Sequence, residues 1–146
     1  MLVLNARLGP LLARVGAPYA PAVVEWAEVD AALSRAPATA LAVVDPYAGT
    51  RRGDGFPRLR DLLRRFPSVP VLAAMDLGPG AAGDVAMLLD WGVSEVIALE
   101  TESAPGAVAA RLRQAHARPF KRALEAALSP FVGAEARSLL RAAAEV

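Results

Sequence analysis

The chain contains no cysteine, which excludes disulfides, thiol catalysis and cysteine metal sites. Its single histidine, His116, rules out a multi-histidine metal site and leaves little room for a Ser-His-Asp arrangement. Lysine is nearly missing as well: Lys121 stands alone, and the other fifteen of the sixteen basic residues are arginine. Acidic and basic residues almost balance at a net charge of +1, so no global field draws in nucleic acid or an acidic membrane. No apolar run approaches the roughly 20 residues that span a bilayer. No basic-then-apolar leader opens the chain, and a cytoplasmic protein with no membrane partner is expected.

Apolar residues, by contrast, are abundant. They make up 55% of the 146 residues at a mean hydropathy of +0.35, much of it alanine, which is enough for one domain with a real core and a small appendage. Residues 40–100 organise the rest. Leu41, Ala42, Val43 and Val44 form an apolar run that ends at Asp45, with Pro46 and Gly49 behind it. A second run, 69–75, ends at Asp76 and the loop Gly78-Pro79-Gly80; a third covers 93–99. Short β-rich runs that alternate with helical patterns predict a parallel sheet covered by helices on both faces.

Upstream, residues 1–4 are a candidate first strand and 8–15 an apolar segment cut by Gly9-Pro10. A second strand is expected at 23–25 and a helix over 29–33, ended by Pro37. Pro57 suits the first turn of a helix whose apolar stripe is Leu59, Leu62, Leu63 and Phe66. Residues 81–91 predict a helix with Val85, Leu88 and Leu89 inward and Gly92 at its C-terminal cap. Ser103 and Pro105 open a helix that is expected to reach about His116. The sum is a doubly wound, five-stranded parallel α/β sheet over residues 1–116, with Asp45 and Asp76 at the carboxyl ends of strands, where ligands bind such sheets. Residues 117–146 form a C-terminal helical extension: Pro119 starts a helix with Phe120, Leu124 and Leu128 on one face, Phe131 extends the stripe, and 134–146 is a further helix. That stripe is a candidate homodimer seam, and the open-ended last helix suggests the N-terminal part of something longer.

Residues 41–46 with Gly49, then 69–75, then Leu89-Asp90-Trp91-Gly92-Val93-Ser94-Glu95-Val96-Ile97, resemble the receiver domain of two-component response regulators over about residues 1–116. The resemblance implies a flavodoxin-like fold and places the phospho-accepting aspartate at Asp45. The departures imply a degenerate receiver. Where the family has an acidic pair for magnesium after the first strand, Asn5 and Arg7 stand, and neither supplies a carboxylate to a hard cation. Ala74 and Met75 stand in place of its Ser or Thr, and Leu99-Glu100 in place of its lysine. Phosphoryl transfer depends on neutralising the phosphoryl oxygens, so Asp45 is at most a vestigial phospho-acceptor. The expected role is therefore non-catalytic: a pseudo-receiver in a transcription regulator, acting through protein contacts and dimerisation. It would use no cofactor or metal and make no nucleic-acid contact of its own, with a helix-turn-helix output module elsewhere.

One rival occupies the same core. Gly78-Pro79-Gly80-Ala81-Ala82-Gly83 fits G-x-G-x-x-G between a strand and a helix, with Glu100 ending the next strand, which outlines a nucleotide- or phosphate-binding loop. Against it, Pro79 removes a backbone donor and Asp76 would repel a pyrophosphate. Arg51, Arg52, Arg58, Arg60, Arg64 and Arg65 form either a solvated helix face or a surface for phosphorylated or acidic ligands. Asp45 with Asp76 is a thin ligand set for a metal.

Overall fold

The computed structural model describes residues 2–3, 6–37, 40–47 and 55–128. In chain order the elements are β1 (Leu2–Val3), α1 (Gly9–Ala13), β2 (Ala22–Val23), α2 (Val29–Arg35), β3 (Ala42–Val44), α3 (Gly55–Arg65), β4 (Val71–Met75), α4 (Ala81–Asp90), β5 (Glu95–Ala98) and α5 (Pro105–Leu128). The class is α/β with a parallel sheet, as the alternation of apolar runs and helical patterns predicts. The strands lie in the order β2-β1-β3-β4-β5, and every pairing is parallel, with β1 and β2 only two residues long.

The period of two along the strands divides the core. Ala42 and Val44 of β3 and Val71, Ala73 and Met75 of β4 face α2, α3 and α4, where they meet Val29, Leu33, Leu59, Leu62 and Leu88. Leu41 and Val43, with Leu72, Ala74 and Ile97, face the other way, onto Leu8 and Leu12 beside α1 and onto Val108, Leu112 and Ala115 of α5. β3 and β4 are buried on both faces along their whole length, which explains why they read as unbroken apolar runs.

Four expectations are corrected. Residues 8–15 are not cut at Gly9-Pro10: a 3-10 turn at Ala6–Leu8 leads into α1, and Pro10 sits near the helix start, where a missing N–H costs nothing. Leu89 is 43% exposed rather than inward. On α4 the core face is set by Ala81, Val85 and Leu88, and a residue one step past Leu88 is rotated by about 100° away from it. The helix expected to stop near His116 continues, and Pro119 does not start a new one: α5 runs for 24 residues through Pro119 to Leu128. A proline forfeits one backbone bond there, and the alanine, leucine and arginine residues on either side are strong helix formers that carry the backbone across.

The expected 116/117 boundary therefore falls inside α5. Phe120, Leu124 and Leu128 are all residues of α5, whereas Phe131 and the helix expected at 134–146 lie outside the described residues. Among the described residues no helix is long and apolar enough to cross a membrane.

Candidate functional site

Because β1, β3 and β4 are parallel neighbours, the residues that follow them meet at one edge of the sheet. Arg7 lies in the turn after β1, Asp45 follows β3 directly, and Asp76 follows β4. In this strand order the chain reverses its direction of travel between β1 and β3, the kind of crevice that binds ligands in open α/β sheets. Arg7 and Asp45 flank it.

The carboxylate of Asp45 is buried, its side chain only 2% exposed. Its Oδ1 accepts the backbone N–H of Tyr47 at 3.0 Å, a side-chain turn that holds the start of the following loop. Its Oδ2 stands 3.7 Å from Nη1 of Arg7. The other arm of the same guanidinium donates to Oδ2 of Asp76 at 2.9 Å, and here both side chains are half-exposed. Arg7 thus lies across the two aspartates. The hydrogen bond to Asp76, helped by the charges of Asp76, Asp45 and Glu100, raises the Arg7 guanidinium above its ordinary value, so it is always a cation.

A second link closes the same end of the sheet. The Tyr47 hydroxyl donates to Asp84 on α4, and its ring packs edge-on against Phe56 at 5.5 Å. Gly55 opens α3 so close to the preceding turn that a Cβ there would stand 2.0 Å from the Pro46 carbonyl oxygen. Only glycine lets the two segments approach in this way.

The glycine loop is a tight turn. Gly80 caps α4 with φ +86°, and the Ala81 N–H donates to the Gly78 carbonyl at 3.1 Å. A Cβ at Gly78 or Gly83 would meet nothing within 4 Å. The close helix-strand packing that demands the third glycine of a dinucleotide fingerprint is therefore missing at Gly83. Glu100 is exposed beyond β5.

Of the arginine group, Arg51 and Arg52 lie outside the described residues. Arg65 bends back to Asp30 of α2 and to Asp61 of its own helix; its contact with Asp30 is the main cause that raises its guanidinium above the ordinary value. Arg58, Arg60 and Arg64 are exposed. His116 stacks on Tyr19, ring centroids 5.9 Å apart, and is a packing residue inside α5.

Sequence reasoning missed a charged cluster that ties α5 to the sheet. Arg111 donates to the buried Glu95 of β5 at 3.2 Å and to Glu102 at 2.6 Å. Glu102 also accepts the backbone N–H of Ala98 at 3.0 Å. That N–H bond first, and then Arg111, hold the Glu102 carboxyl below the usual range, while Glu102 is the main cause that raises Arg111. The one available signal was a charged residue on each of two apolar faces, Glu95 in step with Ile97 and Arg111 beside Leu112.

Among the described residues, the arrangement at the strand ends is a cation, Arg7, between the carboxylates of Asp45 and Asp76. Among the described residues no group of three or more His, Cys, Asp or Glu side chains could hold a metal ion. Comparison of the chain with protein-family models, curated proteins and solved structures finds no match.

Proposed function

We propose that the chain is a non-catalytic regulatory domain of pseudo-receiver type, cytoplasmic, which works through protein contacts and homodimerisation beside a DNA-binding output module. The strand order 2-1-3-4-5, with helices on both faces, supports a doubly wound sheet of the flavodoxin-like kind. One observation carries the functional half of the reading: Asp45, the residue that the receiver resemblance makes the phospho-acceptor, is buried with the Arg7 guanidinium beside it. A receiver needs a divalent cation and an open carboxylate at that place. Arg7 supplies a permanent charge there but no vacant coordination position, so it balances the acidic residues without preparing one for attack.

The alternative, a small nucleotide- or phosphate-binding protein built on Gly78, Gly80 and Gly83, has less support, because Gly83 faces open space and Asp76 stands at the mouth of the loop. The test is incubation of the whole chain with magnesium and acetyl phosphate, followed by intact mass and by the same measurement on Asp45→Asn. An unmodified chain is the expected result. A phosphoryl adduct that disappears in Asp45→Asn would refute the reading.

A further inference from the structure

We infer that the trough between α3 and α4 is a docking surface for an acidic peptide segment that carries an apolar anchor. The inference deepens the reading of this chain as a domain that works through protein contacts, and it rests on that reading. The trough has a volume of about 470 Å³, and Phe56, Pro57, Arg60 and Arg64 of α3 face Met87 and Trp91 across it. Phe56 is buried and meets Trp91 edge-on at 6.4 Å; Trp91 and Met87 are half-exposed. Apolar side chains therefore line the trough, and the ridge beside them is cationic.

The charge on that ridge selects the partner. Arg60 lies over the Trp91 indole, its guanidinium carbon 5.4 Å from the ring centroid. A guanidinium that uses its flat face in this way keeps its N–H edge for a carboxylate, in the two-pronged geometry that favours arginine over lysine. Arg64 follows one helical turn later on the same ridge. Asp61 also lines the trough, but it pairs with Arg65 at 2.8 Å. Among the described residues no carboxylate lies within ion-pair distance of Arg60 or Arg64. Two guanidinium groups with no carboxylate partner among the described residues, beside an aromatic floor, match carboxylates flanking one apolar side chain. Tryptophan, arginine and methionine are also the residue types enriched where proteins bind one another.

The chain has two tryptophans, Trp26 and Trp91, so two indole N–H resonances report on it separately in ¹⁵N NMR, assigned with Trp91→Phe. The probes are a synthetic glutamate–leucine peptide, a lysine–leucine peptide and a glutamate–serine peptide, each titrated into the whole chain. The expected result is a saturable shift of the Trp91 resonance with the glutamate–leucine peptide alone, while Trp26 stays in place. Arg60→Gln and Arg64→Gln, both at exposed positions, each weaken that binding on the order of tenfold.

An unmoved Trp91 overturns the inference, as does an equal shift with either control peptide. A Trp91 shift that follows protein concentration without peptide assigns the trough to a second copy of the chain and overturns it too. A phosphoryl adduct on Asp45 would overturn the regulatory reading whatever the trough binds. An unmoved Trp91 in a chain whose Asp45 stays unmodified overturns the docking inference alone.

Discussion

Arg7 and Asp76 are separated by 69 positions in the chain and by 2.9 Å in space. Their pairing joins the turn after β1 to the loop after β4 and crosses the mouth of the buried Asp45 between them. As an exposed ion pair it adds little stability, about 1 kcal/mol at most. Its larger effect is on chemistry, since a fixed cation occupies the place where a carboxylate cluster would gather a divalent one.

That division of effects is measurable in Arg7→Asp. The change puts a third carboxylate beside Asp45 and Asp76 and removes the charge that balanced them. Without metal the variant melts lower than the parent, by like-charge repulsion. With magnesium or calcium its Tm rises with concentration, as mass action on the native state requires, while the parent's does not. A variant indifferent to divalent cations would mean that the two aspartates cannot share a ligand.

The glycines separate two kinds of constraint. A Cβ at Gly55 would fall 2.0 Å from the Pro46 oxygen, which is backbone and has no flexible end to swing away. Gly55→Ala is expected to destabilise by about 3 kcal/mol in a denaturant titration. Gly83 lies in the first turn of α4 with nothing within 4 Å of its Cβ position. Gly83→Ala is expected to stabilise by about 0.5 kcal/mol, through lower entropy of the unfolded chain. A loss of stability at Gly83 would point to a close approach that the present geometry does not contain.

What could be read from the sequence follows from the range of each interaction. β3 and β4 are legible because burial on both faces leaves no polar position to interrupt them, and the first polar residue, Asp45 or Asp76, marks the strand end. Leu88 and Leu89 show the limit of periodicity: both stand at helical spacing from Val85, and only the rotational phase of the docked helix decides that Leu88 is buried and Leu89 exposed. Pro119 reads locally as the start of a new helix, because a proline is tolerated in a first turn, yet α5 passes through it. The pairing of Arg7 with Asp76 depends on which strands are neighbours. No local pattern carries that information.

Phe120, Leu124 and Leu128 recur every fourth position in the sequence, the spacing of a helical stripe. The homodimer proposed above predicts self-association of the whole chain in sedimentation equilibrium. Changing these three and Phe131 to polar residues is expected to give a folded monomer. A monomeric parent would remove the seam from the proposal.

The last prediction concerns acid. The Glu102 carboxyl is held low, by the Ala98 N–H first and by Arg111 second. A folded-state value below the unfolded one means that the stability it contributes is present above the usual glutamate range of about 4.3 and is lost as the pH falls through the lower folded value. Glu102→Gln keeps the shape and an oxygen for the Ala98 N–H but removes the charge facing Arg111. It is expected to cost about 1–2 kcal/mol near neutrality, and its unfolding free energy should decline less between about pH 5 and pH 3 than the parent's. The decline belongs to the place where α5 is tied to β5, so the parent should lose protection of the α5 amides first on acidification, measured by hydrogen exchange. Equal acid limbs in parent and variant would show that Glu102 ionises alike in the folded and unfolded chain, and that Arg111 draws its hold on the sheet from Glu95 alone.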